Sequence, residues 1–312
     1  MVSEQLPEQY ALSKNLVQAL ALGAPIVALE SAVITHGLPR PENLNLARGV
    51  EAVVRENGAN PATIALLDGR IHVGLSDDQL EALAYTDNTR KISLRDFGIA
   101  LAGGMNGGTT VAATLFVASR AGIRVFATGG IGGVHRGSPF DVSADLLQLG
   151  KTPVMVVCAG AKAILDLPAT LEVLETQGVP VIGYQTDEFP AFYTRHSGLP
   201  VDYRVDTPEA AARVALGAWK AGLFSAVLLV VPLPEKEAMP ADMMESAIQT
   251  ALGEAEAQGI HGAASTPFLL SRVSELTGGE SLRANLALLR NNARVAAQVA
   301  AAMAAHQKSA IL

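Results

Sequence analysis

The chain has 312 residues, of which 49% are hydrophobic and 17% charged, with a formal net charge of −7. That size suits one large α/β domain or two ordinary ones, and the apolar share argues against disorder. The basic residues are dispersed, which excludes a sequence-independent nucleic-acid surface but leaves room for a local cluster that holds a small anion.

Cys158 is the single cysteine, so an intramolecular disulfide and a cysteine-built metal site are excluded; mid-strand, it reads as a small buried hydrophobe rather than a catalytic thiol. No apolar run is long enough to span a bilayer, and the opening residues lack the pattern of a secretory signal. The expectation is a soluble, cytoplasmic protein with no membrane or nucleic-acid partner.

In chain order, residues 1–15 are expected as a peripheral segment, overlapped by a short amphipathic helix over 13–22. A buried strand follows over 25–34 with Glu30 inside it. A carboxylate there is costly unless paired, hydrogen-bonded or protonated, so Glu30 is either a tuned general acid/base or a structural ion-pair partner. Gly and Pro mark 35–43 as a loop, with His36 and Arg40 facing a ligand or only solvent. The spacing predicts a helix over 45–57 ended by Gly58. A strand over 62–67 turns at Asp68-Gly69 and returns over 70–74. Ser76 caps the next helix, with Gln79 at the capping-box position. Segment 91–96 is a charged connector whose Lys91 and Arg95 are phosphate ligands or solvated charges.

A glycine-rich stretch over 103–111 opens a helix over 111–119. Such glycines let backbone amides approach an anion at a helix start, but the pattern is neither a Walker A nor a clean dinucleotide fingerprint. Thr110, at that helix start, is a site candidate from its loop. A strand over 124–128 leads into a second glycine-rich loop, 129–137, carrying His135 and Arg136; His135 is likewise a candidate. Asp141 and Asp145 stand four apart around Ser143. They are helix-capping residues or oxygen ligands for a hard cation such as Mg or Mn.

Residues 153–160 read as a strand buried on both faces, followed at once by Lys162 and a helix to 176. A lysine at the carboxyl end of such a strand stands where open α/β sheets place ligands. It is a nucleophile for a carbonyl or a lysine snorkelling into water. A strand over 179–184 precedes an aromatic loop over 186–197, placed to cover a site with Phe189, Phe192 and Tyr193. Thr207 caps a helix through 221, and 226–231 is the last clear strand. Helices then reach 259, span 266–276 and span 281–305, the last carrying Asn291 and Asn292. The alternation predicts a single α/β domain, 1–312, with a mostly parallel central sheet flanked by helices. A Schiff-base lysine needs a carbonyl, and a ring-opened sugar phosphate supplies both carbonyl and anion.

Several long, ordered motifs carry a resemblance. They are Ala28-Leu29-Glu30-Ser31, Thr35-His36-Gly37, Asn106-Gly107-Gly108-Thr109-Thr110-Val111-Ala112, and the run from Ala127 to Gly137. Phe140-Asp141-Val142-Ser143-Ala144-Asp145-Leu146, Cys158-Ala159-Gly160-Ala161-Lys162, Gly178 to Tyr184, Ser265 to Leu270 and Asn291-Asn292 complete the set. Together they resemble the pseudouridine-5′-phosphate glycosidase family over nearly the whole chain from about Leu16 onward. The resemblance implies reversible cleavage of the C–C glycosidic bond of pseudouridine 5′-phosphate to uracil and ribose 5-phosphate. It implies that Lys162 is the nucleophile, forming an imine with the opened ribose, and Glu30 the proton donor and acceptor. It implies that Asp141 holds a divalent cation, Mn2+ in the family, with Mg2+ as the alternative. Lys91, Val111, Ser143, Ala144 and Asp145 are then substrate contacts, and a homotrimer is expected. Ordinary paired-carboxylate glycosidase logic does not apply, because a C–C bond has no leaving oxygen to protonate.

The sequence departs from the family at Ala32, where a hydroxyl residue is usual, and in the Leu38-Pro39-Arg40 loop. An aldolase-like Schiff-base enzyme acting on another sugar phosphate, and a non-catalytic sugar-phosphate binder, are the competing readings.

Overall fold

The computed structural model describes residues 6–260, 262 and 265–309. Strand β1 (Tyr10–Leu12) and helix α1 (Lys14–Ala21) lead into β2 (Ile26–Leu29), a π-helical turn (Val33–Gly37) and α2 (Glu42–Glu56). Next come β3 (Asn60–Leu67), β4 (Arg70–Val73), α3 (Asp77–Tyr85), β5 (Arg90–Ile92), α4 (Phe97–Ala102), β6 (Gly107–Thr109) and α5 (Val111–Arg120). The middle of the chain supplies β7 (Val125–Ala127), β8 (Val134–His135), β9 (Ser138–Val142), α6 (Ala144–Leu149), β10 (Met155–Cys158), β11 (Leu165–Asp166) and α7 (Leu167–Thr176). It closes with β12 (Val181–Tyr184), β13 (Tyr203–Val205), α8 (Pro208–Lys220), β14 (Val227–Val230), α9 (Ala241–Ala257), α10 (Ser265–Leu276) and α11 (Glu280–Ser309).

One sheet runs in the order β1, β4, β3, β2, β7, β10, β14, β12, β13, and β6 pairs with β3 and β5 beside it. Every pair from β3 to β13 along this path is parallel. The central strands β2, β7, β10, β14 and β12 are apolar and buried at every position, which requires cover on both faces and explains the flanking helices. Helix α11 supplies much of that cover, packing against β2, β7, β10, α2 and α8. No helix among the described residues is long and apolar enough to cross a membrane.

The topology fixes where a ligand can sit. The chain leaves β2 towards β3 and leaves β7 in the opposite direction, towards β10, so the switch point lies between β2 and β7. Ligands of open α/β sheets bind there, outside the carboxyl ends of the strands. The register pairs Leu29 with Ala127 and Ala127 with Val157, so Glu30, Thr128 and Cys158 follow level with one another. A small second sheet, β11-β8-β9, is antiparallel.

Several boundaries differ from the sequence reading, among them β1 within the segment 1–15, the start of α2 at Glu42 and β8 within the glycine-rich loop 129–137. The apolar run 25–34 is a strand only to Leu29; Ala32 and Ile34 are buried on the turn that follows. A core-facing turn is as apolar as a strand, so periodicity does not separate them. Lys91 belongs not to a connector but to β5, which pairs with the glycine strand β6 inside the supposed loop 103–111. After Lys162 the chain first makes a turn and β11, and α7 begins only at Leu167.

Candidate active site

A cavity of about 710 Å³ opens at the switch point. Ten of the residues singled out from the sequence border it: Glu30, Lys91, Thr110, Val111, His135, Asp141, Ser143, Ala144, Asp145 and Lys162. They come from the end of β2, β5, the start of α5, the small sheet, the start of α6 and the turn beyond β10.

Glu30 is the residue immediately after β2. Burial raises its carboxyl above the ordinary range, while the Lys162 charge, a hydrogen bond from Thr128 and the Lys91 charge pull it back; Asp145 raises it further. The Thr128 hydroxyl donates to Oε1 of Glu30.

Lys162 is half-buried, and its Nζ donates to the Gly130 carbonyl at 3.0 Å. The backbone there is tight. Gly160 has φ +86°, and a Cβ on it would lie 2.3 Å from the Pro190 carbonyl oxygen, so the turn that delivers Lys162 requires glycine.

Asp145 is buried, and both its oxygens are engaged. Oδ1 accepts the Ala112 amide and Oδ2 the Gly132 amide, each at 2.8 Å. It therefore ties the first turn of α5 to the second glycine-rich loop, where a carboxylate also complements the positive end of the helix. Ser143 is the N-cap of α6, its hydroxyl accepting the Asp145 amide at 3.2 Å. Thr110 caps α5 by accepting the Ala113 amide at 3.4 Å. Burial lowers the Lys91 ammonium below its usual range and Lys162 lowers it further, against the carboxylates of Asp145 and Glu30. His135 is half-buried in β8 and Asp141 is exposed on β9.

Asp141 is the residue expected to hold a divalent cation. Among the described residues no three His, Cys, Asp or Glu side chains converge as a metal cage. The donor set fits only a hard cation that keeps most of its waters, which such ions do when held by one carboxylate and a substrate phosphate.

Other candidates are divided. His36 and Arg95 border the cavity. Arg40 does not: its guanidinium pairs with Asp87 at 3.1 Å and lies over the Tyr85 ring. Cys158 is buried and burial pushes its thiol up to about 12, in keeping with an inert core residue. From the aromatic loop only Phe192 reaches the cavity, while Phe189 and Tyr193 are buried in the core. Sequence reasoning missed Thr128, Ser93, Asn285 and the Arg90–Asp96 ion pair at 2.6 Å; of these only Ser93 and Asp96 carry a local signal, the spacing of a capping box, with Oδ2 of Asp96 accepting the Ser93 amide at 3.0 Å.

An acid of raised pKa and a primary amine, set at the carboxyl edge of a parallel sheet beside two helix starts, define an α/β enzyme pocket for a small anionic molecule. The chain belongs to the indigoidine synthase A like protein family, whose model matches residues 15–302. A protein of Chloroflexus aurantiacus named pseudouridine-5′-phosphate glycosidase is 57% identical over 295 residues, covering 93% of this chain and 97% of that protein. One of the same name from Deinococcus radiodurans is 54% identical over 301 residues, covering 96% of each. Among solved structures, the prealnumycin C-glycosynthase AlnA in complex with ribulose 5-phosphate matches with a TM-score of 0.90 and 44% identity. That match covers 97% of this chain and 99% of AlnA. An indigoidine synthase A-like protein from Thermotoga maritima matches at 0.85 and 38%, covering 91% and 94%.

Proposed function

We propose that this protein is a pseudouridine-5′-phosphate glycosidase that works through a lysine imine. The observation that carries the reading is the meeting of Glu30 and Lys162 at one cavity; relatives above 50% identity along nearly the whole chain bear that name.

In this reading the Lys162 amine adds to C1′ of the ribose as the C1′–O4′ bond breaks, and O4′ takes a proton from Glu30. The ammonium so formed returns a proton to Glu30, which passes it to uracil C5. The nitrogen lone pair then forms C1′=N while the C1′–C5 electron pair returns to the pyrimidine, and uracil leaves. Water adds to the imine and releases ribose 5-phosphate and the free amine. Lys91 holds the phosphate by charge. His135, Thr110, Val111 and the Ser143-Ala144-Asp145 segment complete the substrate contacts, the helix starts at Val111 and Ala144 favouring an anion. Asp141 would hold a divalent cation, Mn2+ or Mg2+, which would supply positive charge to the anionic substrate. A homotrimer is part of the same reading, on the strength of the motif resemblance, and a cytoplasmic location is expected from the opening residues, which lack the pattern of a secretory signal.

The test is uracil release from pseudouridine 5′-phosphate by the purified protein, its Lys162→Ala variant and its Glu30→Gln variant. Lys162→Ala is expected to fall to the uncatalysed background with an unchanged far-UV spectrum, and Glu30→Gln to lose about 10²–10⁴-fold, the usual worth of a general acid/base. Normal turnover by Lys162→Ala would sink the imine. Release of no uracil by the wild type would favour the aldolase-like alternative.

A further inference from the structure

We infer that Thr128 is a positioning residue for the proton carried by Glu30: its hydroxyl occupies Oε1 of the carboxyl and so assigns the travelling proton to Oε2. The inference rests on the reading of Glu30 as proton donor and acceptor.

Thr128 follows β7 and is 1% exposed, and it is absent from the cavity wall, so it acts behind Glu30 rather than on substrate. Its backbone is held on both sides. Its amide donates to the Val157 carbonyl at 3.0 Å. Its own carbonyl accepts the side-chain amide of Asn292 at 2.9 Å, an amide that also reaches the Gly129 carbonyl at 3.3 Å. Asn292 lies on α11 and is fully buried. The threonine is therefore fixed by β10 and by the terminal helix, and its hydroxyl donates to Oε1 of Glu30.

A carboxyl has two oxygens on which to carry its proton. Where one already accepts an O–H, a second hydrogen on that oxygen competes with the first, so the neutral acid bears its proton on the other. The charged groups that face Glu30 are Lys162 beyond β10, Lys91 in β5 and Asp145 in α6. They act on its ionisation by charge; the Thr128 hydroxyl, hydrogen-bonded to one oxygen alone, makes the choice between the two. It also favours the ionised form against burial, so its loss moves the Glu30 titration to higher pH.

The experiment is the pH profile of kcat and kcat/KM for uracil release in Thr128→Val, which keeps the branched shape without the donor, and Thr128→Ser, which keeps the donor. Thr128→Val is expected to lower kcat by about tenfold or more, the worth of a hydrogen bond to a charged group, to change KM far less, and to shift the Glu30 limb upward. Thr128→Ser is expected to restore both. An unmoved limb in Thr128→Val, or Thr128→Ser behaving like Thr128→Val, overturns the inference. Glu30→Gln run alongside separates the levels. If Glu30→Gln is inactive and Thr128→Val is normal, only the positioning role falls; if Glu30→Gln is fully active, the acid/base reading falls with it. Should Thr128→Val not fold, infrared difference spectra of wild type against Glu30→Gln decide. A lowered carbonyl stretch of the protonated acid marks an oxygen that accepts a hydrogen bond; a free-carbonyl frequency overturns the inference.

Discussion

Burial raises the Glu30 carboxyl above the usual carboxylate range, although Lys162, Thr128 and Lys91 oppose it. The sign of the stability effect follows. A carboxyl whose folded pKa lies above its unfolded value costs nothing below the unfolded value, about 4.3 for glutamate. The cost of ionising it in the fold appears as pH rises and is complete above the folded pKa. Glu30→Gln, which is neutral at every pH, should therefore melt above the wild type at pH 8, with the gap closing towards pH 4. Calorimetry of the pair across that range checks it, and a gap that does not vary with pH would contradict the shift. Gly132 sets a second prediction at this scale. A Cβ there would lie 2.2 Å from the Ser143 hydroxyl and 2.8 Å from Oδ2 of Asp145. Gly132→Ala should displace the clamp between α5 and α6, costing about 1–3 kcal/mol in denaturant unfolding and raising KM for the sugar phosphate.

Helix α3 shows what an element owes to local residues alone. The Ser76 hydroxyl accepts the Gln79 amide at 3.2 Å, and the Gln79 side chain accepts the Ser76 amide at 2.9 Å. Ser76→Ala should cost about 1 kcal/mol, read as a shift of the denaturant midpoint with an unchanged slope. That box was legible because all its partners lie within four residues. The β3–β4 hairpin was legible for the same reason: Asp68 at φ +49° and Gly69 at φ +68° form the tight turn that such a pair favours. Strand β5 was not legible. Its partner β6 lies 17 residues on, since Arg90 pairs with Gly107, and neither strand alternates apolar and polar residues. The end of β2 was misplaced because the buried turn beyond it is as apolar as the strand.

At the scale of the whole molecule, strand–helix alternation was enough to read a mostly parallel sheet flanked by helices, and the long motifs were enough to gather the site. Residues as far apart in sequence as Glu30 and Lys162 border one cavity because β2, β7 and β10 end level at the switch point, and β5, held by β6 beside β3, adds Lys91 to the same wall. The partners behind the site stayed hidden. Thr128 meets Glu30 across 98 residues and Asn292 meets Thr128 across 164, contacts that only the folded sheet and α11 create. The central claim is that Lys162 forms an imine with ribose. Borohydride reduction in the presence of ribose 5-phosphate, followed by peptide mass spectrometry, tests it most directly. The account predicts a ribose-phosphate adduct on the peptide carrying Lys162 and none on Lys91. No adduct at Lys162 in the folded, Mn2+-supplied protein would contradict it.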